Sequence, residues 1–572
     1  MAGVLHIVKK DVRRLRWLLV LLVTVLGART VVGAVATRYT GDTFGPAFAL
    51  QTLGGIVGTL ETLLIALFVE RLVHEEPLVG LNAFWLTRPY SPDSLLSAKL
   101  LIASITLVLL PVVADLLIMS LFDAGAGAQL RASSVFLSSR LLWMLPIFVL
   151  AALTPSLGAF ALAIIGIVAA LSLVIAVLIG VAALWVDDSD AYLPVMTPDQ
   201  TPAIVGSVVF IAAALSVIVF QYRRRRWQIA MAMAAVGLVA TVVIPTLWPW
   251  PFARSAPIEP GAWAADASTT RAVVDRSVPM QISDARVFRR GMPTRYVHAP
   301  VQLTGKPADT FTRNIGVRGM LMLADGTVVR SRQANTFVPL LERRGPIGFG
   351  PSVPLGVLGD VQVLTRVDET AFQPWAALLT LTEEQYATYR GQGGLFQGEV
   401  DFPLMQTRIR GALPLVAGAA LEDSVSRVEL VRVERRTDAQ AIAVRRWLAR
   451  SLLDQDRSPE FELVLRNRAR GEVLTATRRE QHPEFGGGGS VFTGSASVIP
   501  FALLAGGSAG PPSGGFSIQV DVLEFPMTVS PTGVSIRLDA GWLDEAEVVV
   551  LESDYAGTIT RSLTMENFVI PN

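Results

Sequence analysis

"ETLLIALFVERLVHEEPLVGLNAFWLTRPYSPDSLLSAKLL", residues 61–101, sets two apolar arms around a centre rich in proline, charge and aromatic side chains. The upstream arm extends back to Phe48 and the downstream arm on to Leu121. Each is long enough to cross about 30 Å of hydrocarbon, which takes roughly 20 helical residues. The centre is thus a short polar connection between two membrane helices, and the fold of the first half follows from it.

Working outward, apolar runs of spanning length recur at Trp17–Ala36, Phe48–Val69, Leu95–Leu121, Val135–Leu153, Leu157–Leu184, Ala203–Phe220 and Trp227–Leu247. Seven spans are expected, with "LTPSLG" (153–158) either separating two helices or kinking one. The 50 residues from Val135 to Leu184 would make a helix far too long for a single crossing, so two helices are preferred. A content of 51% hydrophobic and 17% charged residues, with a mean hydropathy of +0.48, agrees with a chain largely in lipid. The first run keeps its basic flank but no small-residue cleavage site precedes "RYTGDTFG", so it reads as an anchor and not a signal peptide. No cysteine is present, which excludes disulfides and thiol chemistry, and the four histidines are scattered.

Short loops rich in Lys and Arg stay cytoplasmic. Such loops are the N-terminal segment (Lys9, Lys10, Arg13, Arg14, Arg16), the loop after span two (Arg71, Arg88, Lys99) and "RRRR" at 223–226. The intervening loops "RYTGDTFGPA", "FDAGAGAQLRASS" and "VDDSDAYLPVMTPDQTP" carry few bases. Seven spans and a cytoplasmic N-terminus place the second half outside the cytoplasm.

In the connection, Glu75 and Glu76 precede Pro77, a favourable first helical residue, so acid sits at a helix N-terminus. Leu78, Leu81 and Trp85 follow at i, i+3, i+7 with Phe84 beside them, and Arg88-Pro89 ends the helix. Ser91-Pro92-Asp93 then starts the next helix, with Lys99 expected to snorkel to the interface. Read from the residues alone, this short helix either rests on the lipid headgroups or meets another chain.

The order of "HIVKKDVRRLRWLLV" (6–20), a basic amphipathic helix leading into span one, and then the stretch at 61–101 resembles the permease subunits of type-2 ABC transporters. The resemblance covers about residues 1–250. It implies that the segment between spans two and three is a coupling helix seated on a separate ATP-binding subunit, and that two permease units pair. Carried onto this chain, the coupling residues are Glu75, Glu76, Pro77, Leu78, Phe84, Trp85, Arg88 and Pro89. The family implies six spans with both ends inside, whereas seven and an external tail are read here. No phosphate loop for ATP occurs; "VQLTGKPAD" lacks its first glycine and the hydroxyl residue after Lys306.

Arg29, Glu61 and Asp115 fall within the spans, where ionised groups are costly unless they face protein or water. Arg29 and Glu61 come within about one helical turn in depth, with Asp115 nearer the outer surface. An Arg29–Glu61 ion pair is expected. It either fastens spans one and two or lines a polar path, unless span one is short enough to leave Arg29 at the interface.

The architecture expected is a basic amphipathic helix (1–16), a helical membrane domain (17–248) with its coupling segment at 71–99, and a linker (249–269). A mainly antiparallel, sandwich-like β domain (270–572) follows. Three Trp residues and several prolines mark the linker region. Beyond it, period-two stretches such as "YVHAPVQLTG", "SRVELVRVERR", "FSIQVDVLEFPMTV" and "EVVVLESDYAGTITRSLTM" are strands, and Asp325-Gly326 signals a two-residue hairpin. One helix, "LTEEQYATYRG", has Thr382 as N-cap, Gln385 closing a capping box and Gly391 as terminator. No catalytic, metal or cofactor motif is read, and His482-Pro483-Glu484 sits beside a glycine run. The expected role is therefore that of a non-enzymatic permease subunit, driven by a separate ATP-binding chain, in the cell membrane. The rival is a membrane-anchored sensor or adhesion protein with an external binding domain.

Overall fold

The computed structural model describes residues 2–38, 44–75, 91–167, 201–247, 269–276, 279–285, 294–307, 309–312, 316–330, 355–365, 375–451, 460–476, 478–481, 515–529 and 536–571. The coupling residues from Glu76 to Pro89, the linker up to 268, the second half of the expected fifth span and His482 to Glu484 lie outside them.

The helical half begins with α1 (Ala2–Arg14), which bends at Leu15 into α2 (Arg16–Arg38). Then come α3 (Phe44–His74), α4 (Pro92–Ala103), a π-helical segment (Ser104–Leu109) and α5 (Leu110–Leu121). Ser91 caps α4, its side chain accepting from the Ser94 N–H, and Pro92 opens the helix. At the π turn the Leu110 N–H reaches back to Ile105 O, a widening that accommodates Pro111, which has no N–H to offer. α6 (Ala126–Leu153) ends at Thr154-Pro155-Ser156, and α7 (Leu157–Ile167) starts afresh, so "LTPSLG" separates two helices. α8 (Thr201–Arg224) and α9 (Trp227–Leu247) complete this half.

Among the described residues, four helices are long and apolar enough to cross a membrane: Arg16–Val35, Pro92–Leu121, Ala126–Leu153 and Ile204–Arg224. One core joins the helices at the α1 end of the bundle, with Leu22, Phe68, Leu72, Ala98, Phe148 and Ile218 buried in it. Against α8, α9 packs so closely that a Cβ at Gly237 would lie 2.6 Å from the Ala213 methyl.

The β half is built on two long antiparallel strands, β9 (Gly393–Pro414) and β19 (Ala546–Val569), paired along their whole lengths. At about 3.3 Å per residue such strands span some 70–80 Å, too long for a single sandwich. They are accordingly shared by two. One end is covered by β3 (Thr294–Thr304), paired to β1 (Arg271–Val274), β2 (Gln281–Ala285) and β8 (Trp375–Thr382). Val297, Leu379, Phe396, Phe402 and Phe568 pack between these layers. The other end faces β11 (Ser426–Arg435), β12 (Ala439–Ala449) and β16 (Phe516–Pro526) across Leu430, Val444, Leu465, Phe525, Trp542 and Val548. On the long-strand side this second core is extended by β13 (Glu460–Asn467).

Local signals behave as expected at α10 (Glu383–Tyr389), where Thr382 and Gln385 form the reciprocal capping box and Gly391 adopts φ +73°. The Asp325-Gly326 turn differs. Leu323 N–H bonds Thr327 O at 2.9 Å, leaving a three-residue loop with Gly326 at φ +85°, the position where glycine is favoured.

Candidate functional site

Two places in the helical half bring charges together out of water. The first lies inside the bundle. Arg29 Nη1 donates to both oxygens of Glu61 at 3.0 Å, and its other terminal nitrogen donates to Asp115. Arg140 on α6, which was not read from the sequence as a candidate, donates to Glu61 Oε1 at 2.8 Å and contacts Asp115 Oδ2 at 3.3 Å. Each acid is thus held by both guanidinium groups and each guanidinium by both acids. The ring is electrically neutral and joins α2, α3, α5 and α6. All four residues are 2–9% exposed.

Residue counting puts Asp115 nearer the outer surface, yet it closes this ring. Helical side chains lean toward their own N-terminus. On α5 that tilts Asp115 away from the Leu121 end, and on the oppositely running α6 it tilts Arg140 toward the Ala126 end, so the two converge. The ring is not sealed all round: a small cleft lined by Glu61, Arg140, Leu107 of the π segment and Trp143 reaches it. Trp143 Nε1 is buried there with no hydrogen-bond partner among the described residues.

The second place is the bundle end that carries Glu75 and Ser91. Lys99 does not snorkel: it is fully buried and donates to Asp11 Oδ2 of α1 at 2.8 Å, with both side chains 1% exposed. The snorkelling expectation failed because Asp11, remote in sequence, offers a partner inside the fold that sequence spacing does not reveal. One turn further along α1, Arg14 pairs with Glu75. On one side of 76–90 the adjoining Glu75, and on the other Lys99 two turns into α4, are therefore both tied to α1. Asp93 adds an exposed pair with Arg223 of α8 at 2.8 Å, worth little by itself. His74 closes the same end: its Nδ1 faces Glu70 at 2.8 Å, and its Nε2 donates to the carbonyls of Ala151 and Thr154 at 3.0 and 2.8 Å. The buried amide of Gln221 has no partner among the described residues, and nothing in the structure explains it.

At the opposite bundle end the β half is docked directly on the α5–α6 turn. Trp447 of β12 packs against Phe516, the rings tilted by 41°, and donates its Nε1–H to Phe122 O at 3.1 Å. Ile118, Met119, Phe122, Ala128 and Phe136 close over them. The Arg445 guanidinium lies 5.4 Å from the Phe122 ring centre, and Arg427 is 3.5 Å from Asp123. A Cβ at Gly515 would meet Ala132 O at 2.6 Å, so only glycine permits this approach. This joint has no local signature, since Trp447 reads as an ordinary strand residue.

Comparison with protein-family models, curated proteins and solved structures yields no match.

Proposed function

We propose that the chain is the membrane-spanning permease subunit of an ATP-driven transporter of the ABC type, coupled to a separate ATP-binding chain through residues 71–99. The observation that carries this reading is the double tie of α1 to both flanks of the segment 76–90, through Arg14–Glu75 and Asp11–Lys99. A segment that transmits force must be mounted on something stiff, and a buried ion pair with a second pair one turn away supplies that mounting. In this reading Phe84 and Trp85 are the apolar knob that enters a groove of the ATP-binding chain, flanked by Glu76, Pro77, Leu78, Arg88 and Pro89.

The membrane half crosses seven times: the four long apolar helices are joined by α3, by a span beginning with α7, and by α9. The N-terminus is cytoplasmic. The β half, seated on the α5–α6 turn, stands some 45 Å along the α4–α5 axis from Ser91 and hence outside the cytoplasm. The charge ring fastens α2, α3, α5 and α6 into one body, so that displacement at the α1 end reaches the helices that carry the β half. Two such units pair to form the path, and the β half engages cargo or a partner in the envelope. Chemistry on ATP belongs to the other chain.

Purification in mild detergent tests the proposal. A nucleotide-hydrolysing chain is expected to copurify and to be released by Phe84→Ala with Trp85→Ala. Absence of such a chain, or association that survives both substitutions, overturns the coupling assignment. Because the chain lacks cysteine, Ser91→Cys and Thr388→Cys can each be probed in intact cells with an impermeant thiol reagent. Labelling at 388 and protection at 91 are expected; the reverse pattern refutes the orientation.

A further inference from the structure

Among the described residues, the α1 end of the bundle presents more cation than its acids neutralise. Of the acids there, Asp11 is occupied by Lys99, Glu75 by Arg14 and Asp93 by Arg223, and Glu70 is buried against His74. Lys9, Arg13 and Arg16 stand exposed at i, i+4, i+7, and Arg224 and Arg226 stand exposed at the turn between α8 and α9. None of these five forms an ion pair among the described residues. The opposite side of α1 is committed to the bundle through Ile7, Asp11 and Leu15, which are 1–6% exposed. Its outward side therefore carries the bases together with Leu5 and Val12, 64% and 41% exposed.

Two tryptophans mark a level at this end. Trp17, 72% exposed, opens α2 with the Arg16 guanidinium 5.4 Å from its ring centre, and Trp227, 45% exposed, opens α9. Exposed tryptophans at helix starts sit at the headgroup level of a bilayer. Uncompensated cations at that same level face lipid phosphates, and each attracts an anionic surface.

We propose that the outward face of α1, with the α8–α9 turn, is a binding collar for anionic phospholipid. Leu5 and Val12 dip toward the acyl chains, while Lys9, Arg13, Arg16, Arg224 and Arg226 contact the headgroups. This requires only that the helices lie in a bilayer and does not depend on the transporter reading. An acidic face of a partner protein is the competing occupant.

The test uses the full chain in phosphatidylcholine bilayers containing trace spin-labelled phosphatidylglycerol or phosphatidylcholine, reading the fraction of each lipid immobilised at the protein. The chain is expected to prefer phosphatidylglycerol about two- to fivefold at low salt, less at high salt. The preference should fall to near unity in a K9Q/R13Q/R16Q/R224Q/R226Q variant and partway in R224Q/R226Q, which leaves α1 untouched and guards against misfolding of the larger variant. Equal immobilisation of both lipids by the unaltered chain, or an unchanged preference in R224Q/R226Q and the larger variant, overturns the proposal. So does loss of a copurifying protein chain from these variants with the lipid preference intact, which assigns the face to protein.

Discussion

Replacing Arg140 by Met removes one of the two cations in the ring and leaves Glu61 and Asp115 sharing Arg29 alone. Both acids are nearly inaccessible, at 3% and 2% exposure, so water cannot take the place of the lost guanidinium. Removing one partner of a buried pair costs about 3–5 kcal/mol. An unpaired carboxylate near the bilayer centre costs about 2.5–3.5 kcal/mol by a separate route. The two figures agree on a loss of roughly 3 kcal/mol. The double variant Arg140→Met with Glu61→Leu removes a neutral pair and leaves Arg29 facing Asp115. It should therefore recover most of that loss, although each substitution alone is harmful. The assay is thermal or denaturant unfolding of the detergent-purified chain, completed as a double-mutant cycle with Glu61→Leu alone. A coupling of at least about 2 kcal/mol is expected, above the ~0.6 kcal/mol typical of neutral contacts between membrane helices. Additive single effects, or Arg140→Met costing less than about 1 kcal/mol, would refute the closed ring.

Trp447→Ala should cost about 3–5 kcal/mol, as for a buried Trp truncated in a core, and limited proteolysis should then separate the β half from the bundle more readily. Trp447→Phe, which keeps the packing but loses the bond to Phe122 O, should cost nearer 1 kcal/mol. His298 is buried on β3, and burial holds its pKa below the ordinary 6.5. Its neutral form is therefore the stable one in the fold. The stability this contributes is fully present above pH 6.5 and is lost as pH falls through the lower folded value. Melting of the whole chain between pH 7.5 and 5 should show that loss, at most about 1.4 kcal/mol per pH unit for one proton, and His298→Gln should flatten it. Thr382→Ala removes the side chain that caps α10 and should lower stability by about 1 kcal/mol; rescue by Thr382→Ser distinguishes the cap from a packing effect.

Much of the helical half is legible because a membrane span announces itself by length and apolarity alone. Ser91-Pro92 marks the start of α4 and Pro155 the break before α7, since caps and proline act through the local backbone. Arg29 and Glu61 could be paired by depth. Arg140 is as visible as Arg29, a lone cation in the apolar run "SSVFLSSRLLWML", but its two partners are not local to it. The strand β9 is masked in the sequence because Gly393, Gly394, Gly398 and Pro403 interrupt its alternation. The buried faces of Phe396, Val400, Phe402 and Leu404 nonetheless keep the period of two. Gly398 is required there, since a Cβ would lie 2.6 Å from Arg318 O across the sheet.

By itself the sequence determined which segments are apolar enough for lipid, the cap of α4, the break before α7, and that the second half is mainly sheet, because these depend on neighbours a few residues apart; it did not determine that α3 and α6 begin as early as Phe44 and Ala126, inside stretches read as loops. Only the tertiary structure decided that Lys99 is buried on Asp11, that four charges within the helical bundle close into one neutral ring, and that Trp447 anchors the β half to the α5–α6 turn. Their partners lie 88, 79 and 325 residues away in the chain. A buried charge or indole is satisfied by whatever packing brings within hydrogen-bond reach, and no local pattern encodes that distance.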